Sequence, residues 1–133
     1  MPLGDPGGGN FTYTGEGLPT CIFAGHVPVR DIDRAVAFYR DLLGMEILYS
    51  GEGEAALKRG DARIILRRSD RTGVDTGIVF GVDNPFDLRR RLIDEGVVFL
   101  TAPTRMPMGV YTSFRDDDGN ILHAMEIGAE LRL

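Results

Sequence analysis

Tryptophan is absent from this 133-residue chain, cysteine occurs once and histidine only twice. The lone Cys21 excludes an internal disulfide framework and a zinc site built from several thiolates. At the head of an apolar stretch it reads as a small buried hydrophobe rather than a reactive thiol. No apolar run reaches the length of a membrane span, and the N-terminus lacks the basic-then-apolar order of a secretion signal. No membrane partner and a cytoplasmic location are therefore expected. Positive charge is in deficit as well: 15 Lys and Arg stand against 20 Asp and Glu, a formal charge of −5. That argues against nucleic acid as a partner, because phosphate binding needs a basic surface. The short runs Arg67-Arg68 and Arg89-Arg90-Arg91 are hemmed in by acids and read as solvated faces.

What is present suits one globular domain, with 43% hydrophobic and 26% charged residues. Residues 1–20 are rich in Gly, Pro and Thr, have no apolar period, and read as a flexible N-terminal arm. Its glycines are not followed by the Lys-Ser/Thr of a phosphate loop, and the Asn10-Phe11-Thr12 sequon is incidental without a secretion signal. Order begins at Cys21. "CIFAGHVPV" reads as a strand, and Asp31 or Asp33 caps a helix over "DIDRAVAFYRDLLG" that Gly44 ends. "MEILYS" is a strand, and "AALKRGDARIILR" is a hairpin turning at Arg59-Gly60. After the polar loop "RSDRTGVDT" the pattern returns. "GIVFGV" is a strand, Asn84 caps a helix that opens on Pro85 and stops at Gly96, and "VVFLTA" is a strand. "VYTSFRDDDGNILHAMEI" is a hairpin whose last strand starts at Asn120. The order strand-helix-strand-strand-strand is thus written twice. Val29-Arg30-Asp31 and Val82-Asp83-Asn84 are offset by about 53 residues, and the two hairpins by about 58. The expectation is an α+β fold of two βαβββ modules, about 21–70 and 76–128, within a single domain over residues 21–133.

Two separated stretches carry a family resemblance. "HVPVRDIDRAVAFYRDLLGMEIL" resembles the opening, and "FRDDDGNILHAMEI" the closing motif, of the glyoxalase/bleomycin resistance/dihydroxybiphenyl dioxygenase group. This group is also called the vicinal oxygen chelate superfamily. The resemblance covers residues 21–127 and implies two βαβββ modules curled into a cup-shaped mixed sheet, often completed across a homodimer, with a small-molecule ligand in the cup. Function is less defined by it, since such proteins include lyases, epimerases, dioxygenases, thiol transferases and drug-binding proteins.

The resemblance also implies where a divalent metal would sit: on the first and last strand of each module, held by His and Glu. Those positions fall at Ala24, Ile65, Gly77 and His123, and three of them carry no ligand atom. No metal or other cofactor is therefore expected. His26 lies two residues past Ala24 on the same strand face, so an altered site for Fe, Mn, Ni or Zn using His26, His123 and Glu54 is the alternative. Two residues along a strand amount to about 7 Å, a large displacement for a metal. Read from the residues alone, each histidine is also compatible with a neutral, hydrogen-bonded role, with Thr112 opposite His123 as its partner if the Asp116–Gly119 turn has four residues. A turn at Arg59-Gly60 would set Glu54 opposite Ile65. The run Gly119-Asn120-Ile121-Leu122-His123 further resembles the metal-free bleomycin-resistance branch.

Strand parity divides the remaining residues. Phe23, Val27, Ile64, Leu66, Ile78, Phe80 and Leu122 form a layer for packing against helices, and the other parity looks into the cup. The expected ligand-binding residues are His26, Glu54, Arg63, Arg67, Gly77, Thr112, His123 and Met125, with Gly77 and Gly81 leaving room. Tyr49, Tyr111 and Phe114 are candidate stacking aromatics. Flexible Met106 and Met108 stand where drug-binding members often have Trp. The expected function is binding or sequestration of a small organic molecule, such as a planar or cationic antibiotic, in a homodimeric cup. The alternative is a glyoxalase- or dioxygenase-type enzyme with the altered metal site. His123 is the candidate catalytic residue, as a metal-free acid–base group near neutral pH.

Overall fold

The computed structural model describes residues 15–128. Most of the expected arm, with its Asn10 sequon, lies outside the described residues, while residues 15–20 are exposed and belong to no helix or strand. The first module comprises β1 (Gly25–Val29), α1 (Ile32–Ala37) extended by a π turn (Phe38–Leu42), β2 (Glu46–Ser50), β3 (Glu54–Arg59) and β4 (Ala62–Arg68). The second comprises β5 (Asp75–Val82), α2 (Pro85–Asp94), β6 (Phe99–Met106), β7 (Gly109–Arg115) and β8 (Ile121–Glu126). Their sheets have orders β1-β4-β3-β2 and β5-β8-β7-β6. In each sheet the first and last strands are parallel neighbours and the remaining pairs are antiparallel. The expected α+β architecture of two βαβββ modules is the one observed.

Local chemistry explains the helices. Asp31 accepts a hydrogen bond from the Arg34 amide (3.1 Å), and Asn84 accepts from Phe86 (2.9 Å) with Pro85 at the first helical turn. Gly44 follows α1 with φ +70°, a conformation other residues resist. Alternation then sorts the faces. Val27, Val29, Leu57, Ile64, Leu66 and Leu122 pack against Ile32, Val36, Phe38, Tyr39 and Leu92 from the helical side. Each such fully buried aliphatic side chain contributes about 1.5–3 kcal/mol. The opposite faces of both sheets are left for other uses.

The modules are sewn together by the loop of residues 116–120. Asn120, fully buried, accepts from the Gly73 and Val74 amides (2.9 and 3.1 Å) and donates to the Pro28 carbonyl (2.8 Å) and Asp116 (3.1 Å). Asp116 also accepts from the Tyr39 hydroxyl at 2.7 Å. Burial, and then the Asp116 carboxylate, push the Tyr39 phenol well above its ordinary pKa, so it remains a donor. Nearby, Asp118 accepts from the Arg30 amide (3.1 Å) and Asp117 pairs with Arg34 (2.6 Å). Gly25 completes the junction, because a Cβ there would stand 2.5 Å from Ile78 Cδ1.

Several expectations require correction. Pairing of β1 with β4 begins at Gly25–Ile64, so residues 21–24 precede the ladder. Cys21 is accordingly exposed rather than buried. Phe23 is also exposed, covered on one side by the Arg63 guanidinium 4.7 Å from its ring centroid. The β3–β4 turn falls at Gly60-Asp61, where Gly60 takes φ +57°, so Glu54 lies opposite Arg67 and not Ile65. This one-residue shift of the turn moves each partner by two and leaves the faces unchanged. In the last hairpin Arg115 pairs with Ile121, so the loop has five residues and Asn120 belongs to it. Asp116 imposes this by accepting both the Asp118 and Asn120 amides at 2.9 Å. Finally, β6 runs on to Met106, placing exposed Met106 and Met108 about the tip of the β6–β7 hairpin.

Candidate functional site

Each sheet carries one ordered polar cluster on the face away from the helices. On the first sheet, Glu54 of β3 stands across from Arg67 of β4, with Arg67 Nε 3.0 Å from Glu54 Oε2. The Tyr49 hydroxyl donates to the other carboxylate oxygen. These bonds, Tyr49 first and Arg67 second, hold the Glu54 carboxyl below the ordinary range, with a smaller contribution from His26. His26 is exposed on β1 opposite Ile65.

The second sheet holds His123. Its Nδ1 lies 2.5 Å from the Tyr111 hydroxyl, and the two rings stack with centroids 5.7 Å apart. Its Nε2 lies 2.8 Å from Asp75 Oδ1. The His123 bond, and then the Gly77 amide, hold the Asp75 carboxyl below its ordinary range. An ionised Asp75 can only accept, so Nε2 carries a proton, and in the neutral imidazole Nδ1 is then left to accept from Tyr111. The arrangement is therefore polarised in one direction, from Tyr111 through His123 to Asp75.

An irregular strand makes this possible. Between the pairs Asp75–Ile121 and Val79–His123, four residues of β5 cover the span of two on β8. Gly77 takes φ +69° within this bulge. The Thr76 hydroxyl donates to the Ile121 carbonyl (2.7 Å), and Asp75 Oδ1 accepts from the Gly77 amide (3.0 Å). Gly77 thus serves backbone geometry, where space for a ligand was expected. Bulges re-aim side chains in this way.

The other expected site residues separate. Met125, half-buried, lies opposite Tyr111 on the His123 face. Arg63 shares the first sheet's face but is engaged with Phe23. Thr112 is removed from the site: it is fully buried on the opposite face, and its hydroxyl donates to the Thr101 carbonyl at 2.6 Å. The five-residue loop is the reason, since it sets Ser113, not Thr112, across from His123. Phe114 is likewise core, its ring tilted against Phe99 with centroids 5.3 Å apart. Asp75 was missed entirely. Its signal is "DTG" at a strand start, where an Asp two residues before a Gly favours an Asx turn.

Among the described residues, the positions that the resemblance implies for a divalent metal do not carry a ligand set. Of these positions, Ala24, Ile65 and Gly77 offer no side-chain ligand, which leaves His123 alone among them. Among the described residues no three of His, Cys, Asp and Glu are grouped to hold a metal ion. Two grooves, of about 460 and 260 Å³, lie elsewhere: one beside Arg30, Asp33, Glu52 and Arg68, the other beside Phe38, Val97, Arg115 and Asp117. The candidate face is open surface in the single chain, with Tyr49 50% and Val79 56% exposed.

Paired βαβββ modules, each with a parallel first-and-last strand pair and a helix-free face, define the class. The chain belongs to the Glyoxalase/Bleomycin resistance protein/Dioxygenase superfamily, whose profile matches residues 22–123. Among solved structures it is similar to a glyoxylase/bleomycin resistance protein/dioxygenase domain from Frankia sp. EAN1pec, at 29% identity and TM-score 0.67 over 81% of this chain and 98% of that one. TnmS3, an antibiotic binding protein from Streptomyces sp. CB03234, matches at 23% identity and TM-score 0.71 over 83% and 98%. Lactoylglutathione lyase from Agrobacterium tumefaciens matches at 20% and 0.70 over 84% and 96%. No curated protein matches the chain. Among the described residues no helix is long and apolar enough to cross a membrane.

Proposed function

We propose that this protein binds a small organic molecule, without a metal, on the cup face formed by the two sheets. The observation that carries the reading is the composition of that face. Two pre-oriented polar clusters, Tyr49–Glu54–Arg67 and Tyr111–His123–Asp75, flank apolar Ile65, Val79 and Met125. Apolar surface with a few fixed polar groups is the chemistry of a small-ligand site. The fold accommodates an antibiotic binding protein and a lyase alike, so side chains and not fold must decide. Support for metal independence comes from the ligand-free residues at Ala24, Ile65 and Gly77. The depressed Glu54 and Asp75 carboxyls stay ionised at neutral pH and favour a ligand with cationic or hydrogen-donating groups. The openness of the face in one chain supports a second copy as its cover, in a cytoplasmic homodimer.

The test is a thermal-shift screen of planar aromatic and cationic compounds, with and without EDTA. Binding raises Tm by linkage, by about 2.7 kcal/mol of stabilisation at a hundredfold excess over Kd, and EDTA leaves the shift unchanged. A shift abolished by EDTA and restored by Fe, Mn, Ni or Zn would overturn metal independence. A second reading, catalysis by His123, is favoured by one observation: Asp75 orients the ring, as acid–base catalysts require.

A further inference from the structure

Hydrogen-bond direction at His123 specifies the ligand more closely. Because Asp75 occupies the Nε2 proton, the Tyr111 hydroxyl spends its own proton on Nδ1. The phenol oxygen is left as an acceptor, made more basic by the imidazole behind it. Across the ladder His123 faces Ser113 on β7 and Val79 on β5, neither of which titrates near neutral pH. Neither of them competes with Asp75 for Nε2, and Tyr111 of β7 meets the ring at Nδ1.

The cost of the arrangement argues that it is built. The first module pairs β1 with β4 in unbroken register, from Gly25–Ile64 to Val29–Arg68. Its counterpart in the second module is interrupted by the bulge at Gly77. A regular β5 would give up the conformation in which one Asp75 oxygen takes both the Gly77 amide and the His123 ring. The irregularity thus falls where it supplies the third member of the chain.

We propose that Tyr111, His123 and Asp75 form a proton-accepting relay that binds an acidic hydroxyl, a phenol or an enol, as its anion. This rests on the reading of the face as a small-ligand site. In the step, the ligand O–H proton passes to Tyr111 Oη while the Tyr111 proton passes to His123 Nδ1. The products are the ligand oxyanion, neutral Tyr111 and an imidazolium paired with ionised Asp75. No electrons are exchanged and the net charge is unchanged.

The full chain is titrated with para-nitrophenol and with para-nitroanisole, its analogue without an acidic proton. Expected is a phenolate absorption band for bound nitrophenol at a pH below its solution pKa. Nitrophenol also binds roughly 10- to 100-fold more tightly than nitroanisole, the worth of a hydrogen bond to a charged group. Asp75→Asn, His123→Gln and Tyr111→Phe each lose the band, with Tm measured to confirm folding. A neutral-phenol spectrum in the unmodified protein overturns the relay, as does a band that survives Asp75→Asn. If nitrophenol binds only as the neutral species and nitroanisole binds equally, the relay fails while the small-ligand reading stands. If neither binds, the relay also fails, and the EDTA-controlled screen decides the small-ligand reading independently.

Discussion

Replacing Asn120 by alanine should be among the most damaging single changes outside the aliphatic core. Four hydrogen bonds are removed at once, from a side chain with no exposed surface. Their partners lose unequally. Gly73 and Val74 are exposed, so their amides regain water at small cost. The half-buried Pro28 carbonyl does not, and left unsatisfied it costs about 1–3 kcal/mol. The buried Asp116 carboxylate keeps the Tyr39 hydroxyl and the Asp118 and Asn120 amides and loses one hydrogen bond, worth about 1 kcal/mol. The sum is about 3 kcal/mol. For a chain of this length that corresponds to a fall in Tm of roughly 10 °C, since each kcal/mol moves Tm by about 2–8 °C across small to mid-sized domains. Urea unfolding followed by circular dichroism measures it directly, with the midpoint displaced and the slope retained. Asn120→Asp keeps an acceptor for Gly73 and Val74 but turns an oxygen toward Pro28 and Asp116, so at neutral pH it should do no better than alanine. A loss below about 1 kcal/mol for alanine, or a well-tolerated aspartate, would refute the role given to the buried amide.

Other expectations follow from single contacts. Gly25→Ala should cost about 1–3 kcal/mol through the clash with Ile78, and Ile78→Val should recover part of it; equal loss in both backgrounds would dissociate Gly25 from the module junction. Thr112→Val should cost about 1–2 kcal/mol in urea by orphaning the Thr101 carbonyl, while leaving ligand-induced Tm shifts intact; loss of those shifts would return Thr112 to the site. Glu54 should titrate below the ordinary carboxylate range by NMR, and Tyr49→Phe should raise its midpoint, since Tyr49 is the largest cause of the depression. With its folded pKa below its unfolded one, Glu54 contributes stability that is present above the unfolded value and lost as pH falls through the folded one. A midpoint indifferent to Tyr49 would contradict the hydrogen bond.

Much of the fold was legible because its signals are local. Asp31 and Asn84-Pro85 cap helices within three residues of themselves, Gly44 ends one through its own φ, and alternation in "HVPV" and "RIILR" separates Val27 and Ile64 from His26 and Ile65. The repeat at about 53 and 58 residues sufficed for the two modules. Placement of His26, Glu54, Arg67, His123 and Met125 away from the helices depends only on parity, which survives a misplaced turn. Partners across the chain are another matter. Register in the last hairpin turns on Asp116 gathering two amides into a five-residue loop, and that single residue exchanges Thr112 for Ser113 opposite His123. The meeting of Asp75 with His123, 48 positions apart, needs both the parallel pairing of β5 with β8 and a bulge that breaks its period. Sequence alone thus determined which residues of β1, β4, β5 and β8 face the helices, because alternation is a property of each strand by itself, whereas on β7 it misplaced Thr112 and Phe114. Tertiary structure decided which of the remaining polar residues touch, because hydrogen bonds a few ångströms long depend on registers that distant segments set.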